Sequence, residues 1–151
     1  MIKANPDAVI AAARGWLGTP YHDQASLRGV GCDCLGLARG VWRDLVGAEP
    51  QPIPPYSRDW GETGVREVLA DGARAMMIEI PLAEIGPGAL VLFRMAPRAI
   101  AKHVGILTAA DSFINAYDRL GVIEEALTTA WARRIAFAFQ FPVPNPASEK
   151  T

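Results

Sequence analysis

The sequence predicts an α+β fold in which N-terminal helices pack on an antiparallel β-sheet. Two helical patterns come first, short apolar runs follow from Ala73, and the connections between these runs are too short for parallel crossovers. The chain has 151 residues, half of them hydrophobic, which suits one buried core. We therefore expect residues 1–151 to form a single domain, with about 142–151 as a flexible tail because that segment is polar and proline-rich.

Two helices are predicted near the N-terminus. The first has Asn5 as its N-cap, Pro6 at its first position and Gly18 as its stop. The second has apolar residues at helical spacing over positions 35–46 and ends at Gly47. Two elements of the first half of the chain therefore have clear local signals.

The remainder of the chain predicts a loop, a short helix and a series of strands. The segment "AEPQPIPPYSRDWGE" has four prolines and predicts an irregular loop, followed by a short helix over residues 63–69. "LTTAWAR" predicts one helical turn before the last strand. The predicted strands are "ARAMMIEI", "GALVLFRM", "KHVGILTA", "DSFINAYD", "GVIEEAL" and "RRIAFAFQF".

Composition argues against several classes of partner. Fifteen Lys and Arg balance sixteen Asp and Glu without a long charge block, so neither nucleic acid nor an anionic membrane is an expected partner. The N-terminal apolar run, residues 8–13, is too short for a signal peptide or an integral membrane segment, which predicts synthesis in the cytoplasm. The two cysteines are two residues apart and would form a strained disulfide, so we expect both thiols to be reduced.

Cys34 is a candidate nucleophile because it lies at the start of the second helix. A helix N-terminus lowers a thiol pKa through its unpaired amides and its dipole. Asp33 suits the N-cap position, where its carboxylate would accept from the amide of Leu35 or Gly36. A small cysteine packed in the core is the alternative.

A cysteine nucleophile needs a base, and the chain has two histidines, His22 and His103. His103 begins a predicted strand, whereas His22 lies in a loop. A hairpin turn at Ala109–Ala110 would place His103 within one residue of the position opposite Asn115, which can orient the imidazole. The alternative is a partly buried polar pair on an ordinary hairpin.

Four blocks of this sequence resemble the NlpC/P60 cysteine peptidases, a family of papain-like cell-wall hydrolases. They are "GTPY" at 18–21, "DCLGL" at 33–37, "PGALVLF" at 87–93 and "KHVGIL" at 102–107, and the likeness runs from about residue 5 to 140. In addition, "YHDQASLRGVGCDCLGLARGVWRDL" and "PPYSRDW" resemble the branch encoded in phages, prophages and gene-transfer-agent clusters as tail-associated peptidases.

The resemblance implies a papain-like fold and hydrolysis of peptidoglycan stem peptides, at the bond between D-γ-glutamate and diaminopimelate or a neighbouring one. Cys34 would form a thioester, His103 would move the proton, and Asn115 would orient the imidazole. Tyr21 would help to stabilise the oxyanion and Asp33 would bind the amino end of the peptide. Neither a cofactor nor a metal is implied. Phage-like tail proteins are the implied partners, and a tail particle would carry the enzyme to the cell wall.

The sequence departs from the family pattern at two positions, and the third triad position varies within the family. Leu35 replaces the usual serine, which puts the family's substrate preference in doubt, and Ala89 replaces the usual aspartate. The phage branch often has histidine where this chain has Asn115, and asparagine can orient an imidazole but cannot carry charge.

Two alternatives to a peptidase stay open. One is a non-catalytic tail component that binds cell wall or neighbouring tail proteins. The other is a metal-binding or redox module, in which zinc would need both cysteines and both histidines or added carboxylates. For Cys32 itself we expect a small packed residue.

Overall fold

A computed structural model describes residues 1–50 and 67–144. Within these ranges the chain forms four α-helices, ten short β-strands and one 3-10 turn. In chain order they are β1 (Ile2–Lys3), α1 (Pro6–Arg14), β2 (Ser26–Leu27), β3 (Gly31–Cys32), α2 (Cys34–Leu45), α3 (Val68–Met76), β4 (Ile78–Ile80), the 3-10 turn (Leu82–Glu84), β5 (Leu90–Phe93), β6 (His103–Ala109), β7 (Ser112–Tyr117), β8 (Gly121–Ala126), α4 (Thr129–Ala132), β9 (Ile135–Gln140) and β10 (Pro142–Val143). The predicted α+β class is confirmed.

The main sheet of the described chain has six strands in the order β4-β9-β5-β6-β7-β8. Each neighbouring pair in it is antiparallel. Two small antiparallel pairs, β1 with β10 and β2 with β3, lie outside it. Strand β6 has a partner on each side and also contacts α1 and α2, so its first residue lies where the helices meet the sheet.

The sheet separates two apolar clusters because successive side chains of a strand point to opposite faces. One face packs against the helices; its buried residues include Val9, Leu37, Val41, Ala70, Leu92, Val104, Ile106 and Ile114. The other face is covered in part by Trp131 of α4; its buried residues include Val91, Phe93, Leu107 and Phe113. Both faces of the central strands are therefore dry.

The first two helices follow their sequence signals closely. Asn5 caps α1 by accepting from the amide of Asp7 at 2.8 Å, and α1 ends at Arg14, before the predicted stop at Gly18. Helix α2 contains Gly40, where an added Cβ would lie 1.9 Å from Cζ2 of Trp16. Only glycine lets the Trp16 ring pack this closely on α2.

One prediction of local structure is wrong, and another lies mostly outside the described residues. The first predicted strand begins with residues that belong to α3: Ala70 and Ala73 face the core one helical turn apart, and only Ile78–Ile80 is a strand. Of the helix predicted over residues 63–69, positions 63–66 lie outside the described residues, as does most of the proline-rich loop.

The first two residues of the predicted tail form a strand. Pro142 and Val143 form β10, which pairs with β1 at the opposite end of the chain, so backbone hydrogen bonds hold them in place. The predicted flexibility of residues 145–151 concerns positions outside the described ranges.

Candidate active site

Cys34 is the first residue of α2, and its side chain is half-buried. The thiol donates to the carbonyl oxygen of Lys102, with Sγ and oxygen 3.8 Å apart. The backbone N–H of Val104, the residue after His103, acts to lower the pKa of this thiol. The Cys34 sulfur therefore lies against the backbone next to His103.

Burial sets the charge state of Cys34. It raises the pKa of the thiol to about 12, although backbone N–H groups of Val104 and Leu35 act in the opposite direction. The amides at the helix N-terminus lower this pKa as expected, but the larger effect of burial reverses the net direction. The free-energy cost of removing a thiolate from water outweighs its stabilisation by the few amides that face it. The adjacent carboxylate of Asp33 adds repulsion.

Asp33 caps α2 as predicted, and it also anchors the preceding loop. Its Oδ1 accepts from the amide of Gly36 and its Oδ2 accepts from the amide of Gln24, each at 2.7 Å. The residue is 4% exposed. These contacts account for Asp33 as a helix cap and loop anchor, and its contact with substrate stays a prediction.

Gly36 permits the close packing of this loop on α2. A Cβ at position 36 would lie 1.8 Å from the carbonyl oxygen of Ala25. Ala25 O in turn accepts from the amide of Asp33 at 3.3 Å. The glycine next to the Cys34 turn is therefore required by backbone approach.

His103 is the first residue of β6, and Asn115 lies on the neighbouring strand β7. His103 Nε2 donates to Asn115 Oδ1 at 2.8 Å. Asn115 is fully buried, so water does not compete for its amide. The predicted pairing of these two side chains is confirmed.

The register that brings them together differs from the predicted one. The β6–β7 pairs are Ile106↔Ile114, Leu107↔Phe113 and Ala109↔Ser112, with an irregularity after Leu107. The turn is thus Ala110–Asp111, one residue later than predicted. Continued to the start of β6, this register puts Asn115 opposite Gly105, two positions from His103. Residues two apart share a face, whereas the predicted register would have put the two side chains on opposite faces.

Three aromatic rings surround the imidazole of His103. Its ring centroid lies 5.7 Å from that of Phe93, 5.5 Å from that of Tyr117 and 5.6 Å from that of Trp131. The resulting burial lowers the pKa of His103, although the hydrogen bond with Asn115 and the charge of Glu125 raise it. The imidazole is therefore neutral at neutral pH, as a general base must be.

Glu125 extends the polar chain by one member. It lies on β8, and its Oε2 accepts from Nδ2 of Asn115 at 2.9 Å. We did not identify Glu125 from the sequence. The sequence offered little signal for it, because the position of Glu125 depends on the strand register. Asn115 pairs with Ile123, so Glu125 lies two positions further along the same face of the adjacent strand.

Tyr21 lies beside Cys32 through an isolated parallel bridge, close to the nucleophile candidate. Burial is the main cause that raises the pKa of Tyr21, and the nearby Asp23 carboxylate and the ionised form of Cys34 act in the same direction. The phenol is neutral, and its hydroxyl has a hydrogen bond with Asp23. Sequence reasoning also missed this contact of Tyr21.

Cys32 is buried in the main core cluster with a free thiol, which confirms its prediction as a small packed residue. Across residues 1–50 and 67–144, no three His, Cys, Asp or Glu side chains form a group suited to holding a metal ion. Nor does that part of the chain contain a helix with the length and apolar character needed to cross a bilayer.

Residues 18–139 match the NlpC/P60 family, and the chain belongs to that family. No curated protein matches significantly. Among solved structures, the NlpC/p60 domain of the peptidoglycan hydrolase SagA is 21% identical with a TM-score of 0.61, over 91% of this chain and 100% of that one.

Two longer proteins share the fold. An NlpC/P60 family protein of Bacillus cereus ATCC 10987 is 20% identical with a TM-score of 0.66, over 95% of this chain and 42% of that one. A lipoprotein-like NLP/P60 protein of Staphylococcus aureus subsp. aureus Mu50 is 19% identical with a TM-score of 0.61, over 95% of this chain and 44% of that one. The chain thus spans less than half the length of these two proteins.

Proposed function

We propose that this protein is a cysteine peptidase that cleaves amide bonds in peptidoglycan stem peptides, with the D-γ-glutamyl–diaminopimelate bond as the first candidate. Family membership and the likeness to the SagA hydrolase domain support the substrate class. One arrangement carries the chemistry: the Cys34 thiol is hydrogen-bonded to the carbonyl oxygen of Lys102, the residue before His103, and the Nε2 of His103 is hydrogen-bonded to Asn115.

The reaction proceeds through a thioester. Cys34 Sγ attacks the carbonyl carbon while His103 takes the thiol proton on Nδ1, the ring nitrogen opposite the Asn115 bond. The C–N bond then breaks, and His103 returns the proton to the leaving amine. Water attacks the thioester, gives its proton to His103 and releases the carboxylic acid and the thiol. The Cys34 amide and the Tyr21 hydroxyl stabilise the oxyanion, and Asp33 binds the amino end of the peptide.

The decisive experiment is mass spectrometry of muropeptides released from purified sacculi and stem peptides. Wild type should produce new peptide termini, and Cys34→Ala should produce none. Cys32→Ala is the matched control, because it removes a nearby sulfur that is buried in the core. Wild type that binds sacculi without cleaving them would contradict catalysis and favour the non-catalytic binding component.

We further propose that the enzyme reaches the cell wall in a phage-like tail particle. The support is the likeness of residues 21–45 and of "PPYSRDW" to tail-associated members of the family. Particles purified from cells that encode the chain should contain it at fixed stoichiometry with tail proteins. Its absence from such particles would contradict this route.

A further inference from the structure

Glu125 occupies a specific place relative to the proposed catalytic residues. Strand β8 pairs with β7 so that Phe113 faces Glu125 and Asn115 faces Ile123. Glu125 is therefore the diagonal neighbour of Asn115 on one face of the sheet. The contact is polar: Nδ2 of Asn115 donates to Oε2 of Glu125 at 2.9 Å.

The two ends of the Asn115 side chain differ in their chemistry. The amide nitrogen can only donate and the amide oxygen can only accept, while an ionised carboxylate can only accept. Glu125 therefore holds the nitrogen of Asn115 on its own side. The oxygen of Asn115 must then face His103, which is the arrangement observed at 2.8 Å.

The orientation of Asn115 determines which nitrogen of His103 carries the proton. An amide oxygen next to Nε2 requires a proton on Nε2, so the neutral imidazole has its lone pair on Nδ1. A rotated Asn115 would direct its nitrogen at Nε2 and would favour the proton on Nδ1. With Asn115 rotated, Nδ1 of His103 already carries a proton and cannot accept the one from Cys34.

We propose that Glu125 is a positioning residue that holds the Asn115 amide in one orientation and thereby selects the His103 tautomer with a free Nδ1. This inference rests on the proposed function for its catalytic consequence, but the tautomer itself can be measured without activity. Glu125 acts through Asn115 and His103, and no contact with substrate is required. Because Asn115 is fully buried, bulk water cannot replace the lost acceptor.

The neighbouring residue Glu124 provides a matched control. It lies on the same strand, where its carboxylate pairs with Arg14 of α1 at 3.0 Å. Substitution of Glu124 removes the same charge from β8 but breaks the pair with Arg14 and leaves the Asn115–Glu125 hydrogen bond in place. A difference between variants at positions 124 and 125 therefore reports the Asn115 contact and not net charge.

The test compares wild type, Glu125→Leu, Glu125→Gln and Glu124→Leu by two-bond ¹H–¹⁵N correlation of the imidazole nitrogens. Wild type should have the proton on Nε2 of His103. Glu125→Leu should show a population with the proton on Nδ1. Its kcat should fall about tenfold with little change in KM; this loss is a modest part of the rate enhancement that a general base supplies. Glu125→Gln keeps an acceptor and should restore both properties, and Glu124→Leu should match wild type.

Two results would overturn the proposal: a wild-type tautomer in Glu125→Leu, or a tautomer change in Glu125→Gln as large as that in Glu125→Leu. If the leucine variant fails to fold, Glu125→Val also removes the acceptor, with a side chain suited to a strand. Should wild type lack hydrolase activity, the proposed function fails, and the NMR comparison still decides whether Glu125 selects the tautomer.

Discussion

Trp131 packs on His103 with ring centroids 5.6 Å apart and ring planes at 31°. Trp131 comes from the short helix α4, so a single turn of helix covers a side chain at the start of β6. This cover contributes to the burial that lowers the pKa of His103. Burial also raises the pKa of Cys34, so the site at rest pairs a neutral base with a neutral thiol. In the proposed reaction, proton transfer therefore accompanies the attack.

The first prediction concerns the acid limb of the pH profile. His103 must be neutral to act as a base, and burial lowers its pKa from the ordinary 6.5. Protonation of the imidazole therefore begins at a lower pH than for an exposed histidine, and kcat/KM should hold through pH 6.5 and fall only below it. Initial rates on a stem peptide across pH 4–9 measure this. A fall that is complete by pH 6.5 would contradict a neutral, buried base.

The second prediction concerns the reactivity of the Cys34 thiol. Because its pKa is raised to about 12, the thiolate fraction grows about tenfold per pH unit throughout the neutral and mildly alkaline range. The rate of alkylation by iodoacetamide should rise in the same way through pH 9, with Cys34→Ala as the background. A rate that is already constant at pH 6–7 would show a preformed thiolate.

The third prediction tests the cover over the imidazole. Trp131→Leu should admit water to His103, which stabilises the imidazolium and moves the pKa of His103 up toward its ordinary value. The acid limb of the activity profile should move to higher pH by the same amount. NMR titration of the His103 imidazole in wild type and in the variant measures the shift. An unchanged His103 titration would assign its burial to Phe93 and Tyr117.

The fourth prediction compares two helical glycines. Gly40→Ala places a Cβ 1.9 Å from the Trp16 ring and should lower the free energy of unfolding by about 2–3 kcal/mol through overpacking. Gly72→Ala in α3 meets no atom within 4 Å and should raise it by about 0.5–1 kcal/mol, because alanine favours a helix. Urea denaturation of both variants provides the comparison. Equal effects at the two positions would be inconsistent with this packing.

The fifth prediction separates the two hydrogen bonds of Asp33. Asp33→Ala loses the helix cap and the anchor to Gln24 and should cost about 2 kcal/mol of stability. Asp33→Ser keeps an acceptor for the Gly36 amide but is too short to serve both amides, so it should cost about half as much. Thermal unfolding measures both. Wild-type stability in Asp33→Ala, combined with a raised KM, would instead favour the substrate role.

Local sequence signals predicted most of the elements and all three proposed catalytic positions. Asn5 and Asp33 act on the amides next to them, so their capping roles are visible in the sequence. The strands β5 to β9 follow alternating or continuous apolar runs that a sheet buries. The α3 region was misassigned because a few apolar residues between Ala73 and Met77 suit either a helix or a strand.

Three properties of the site depend on the tertiary structure. The irregularity after Leu107 shifts the β6–β7 register by one residue and so puts His103 and Asn115 on the same face, and no local pattern marks it. The acceptor for Asn115 comes from Glu125 on the next strand. Finally, rings from β5, β7 and α4 surround His103, and burial of Cys34 reverses the effect of its helix position. Capping and periodicity act between neighbours along the chain, whereas desolvation and register depend on segments that only folding brings together.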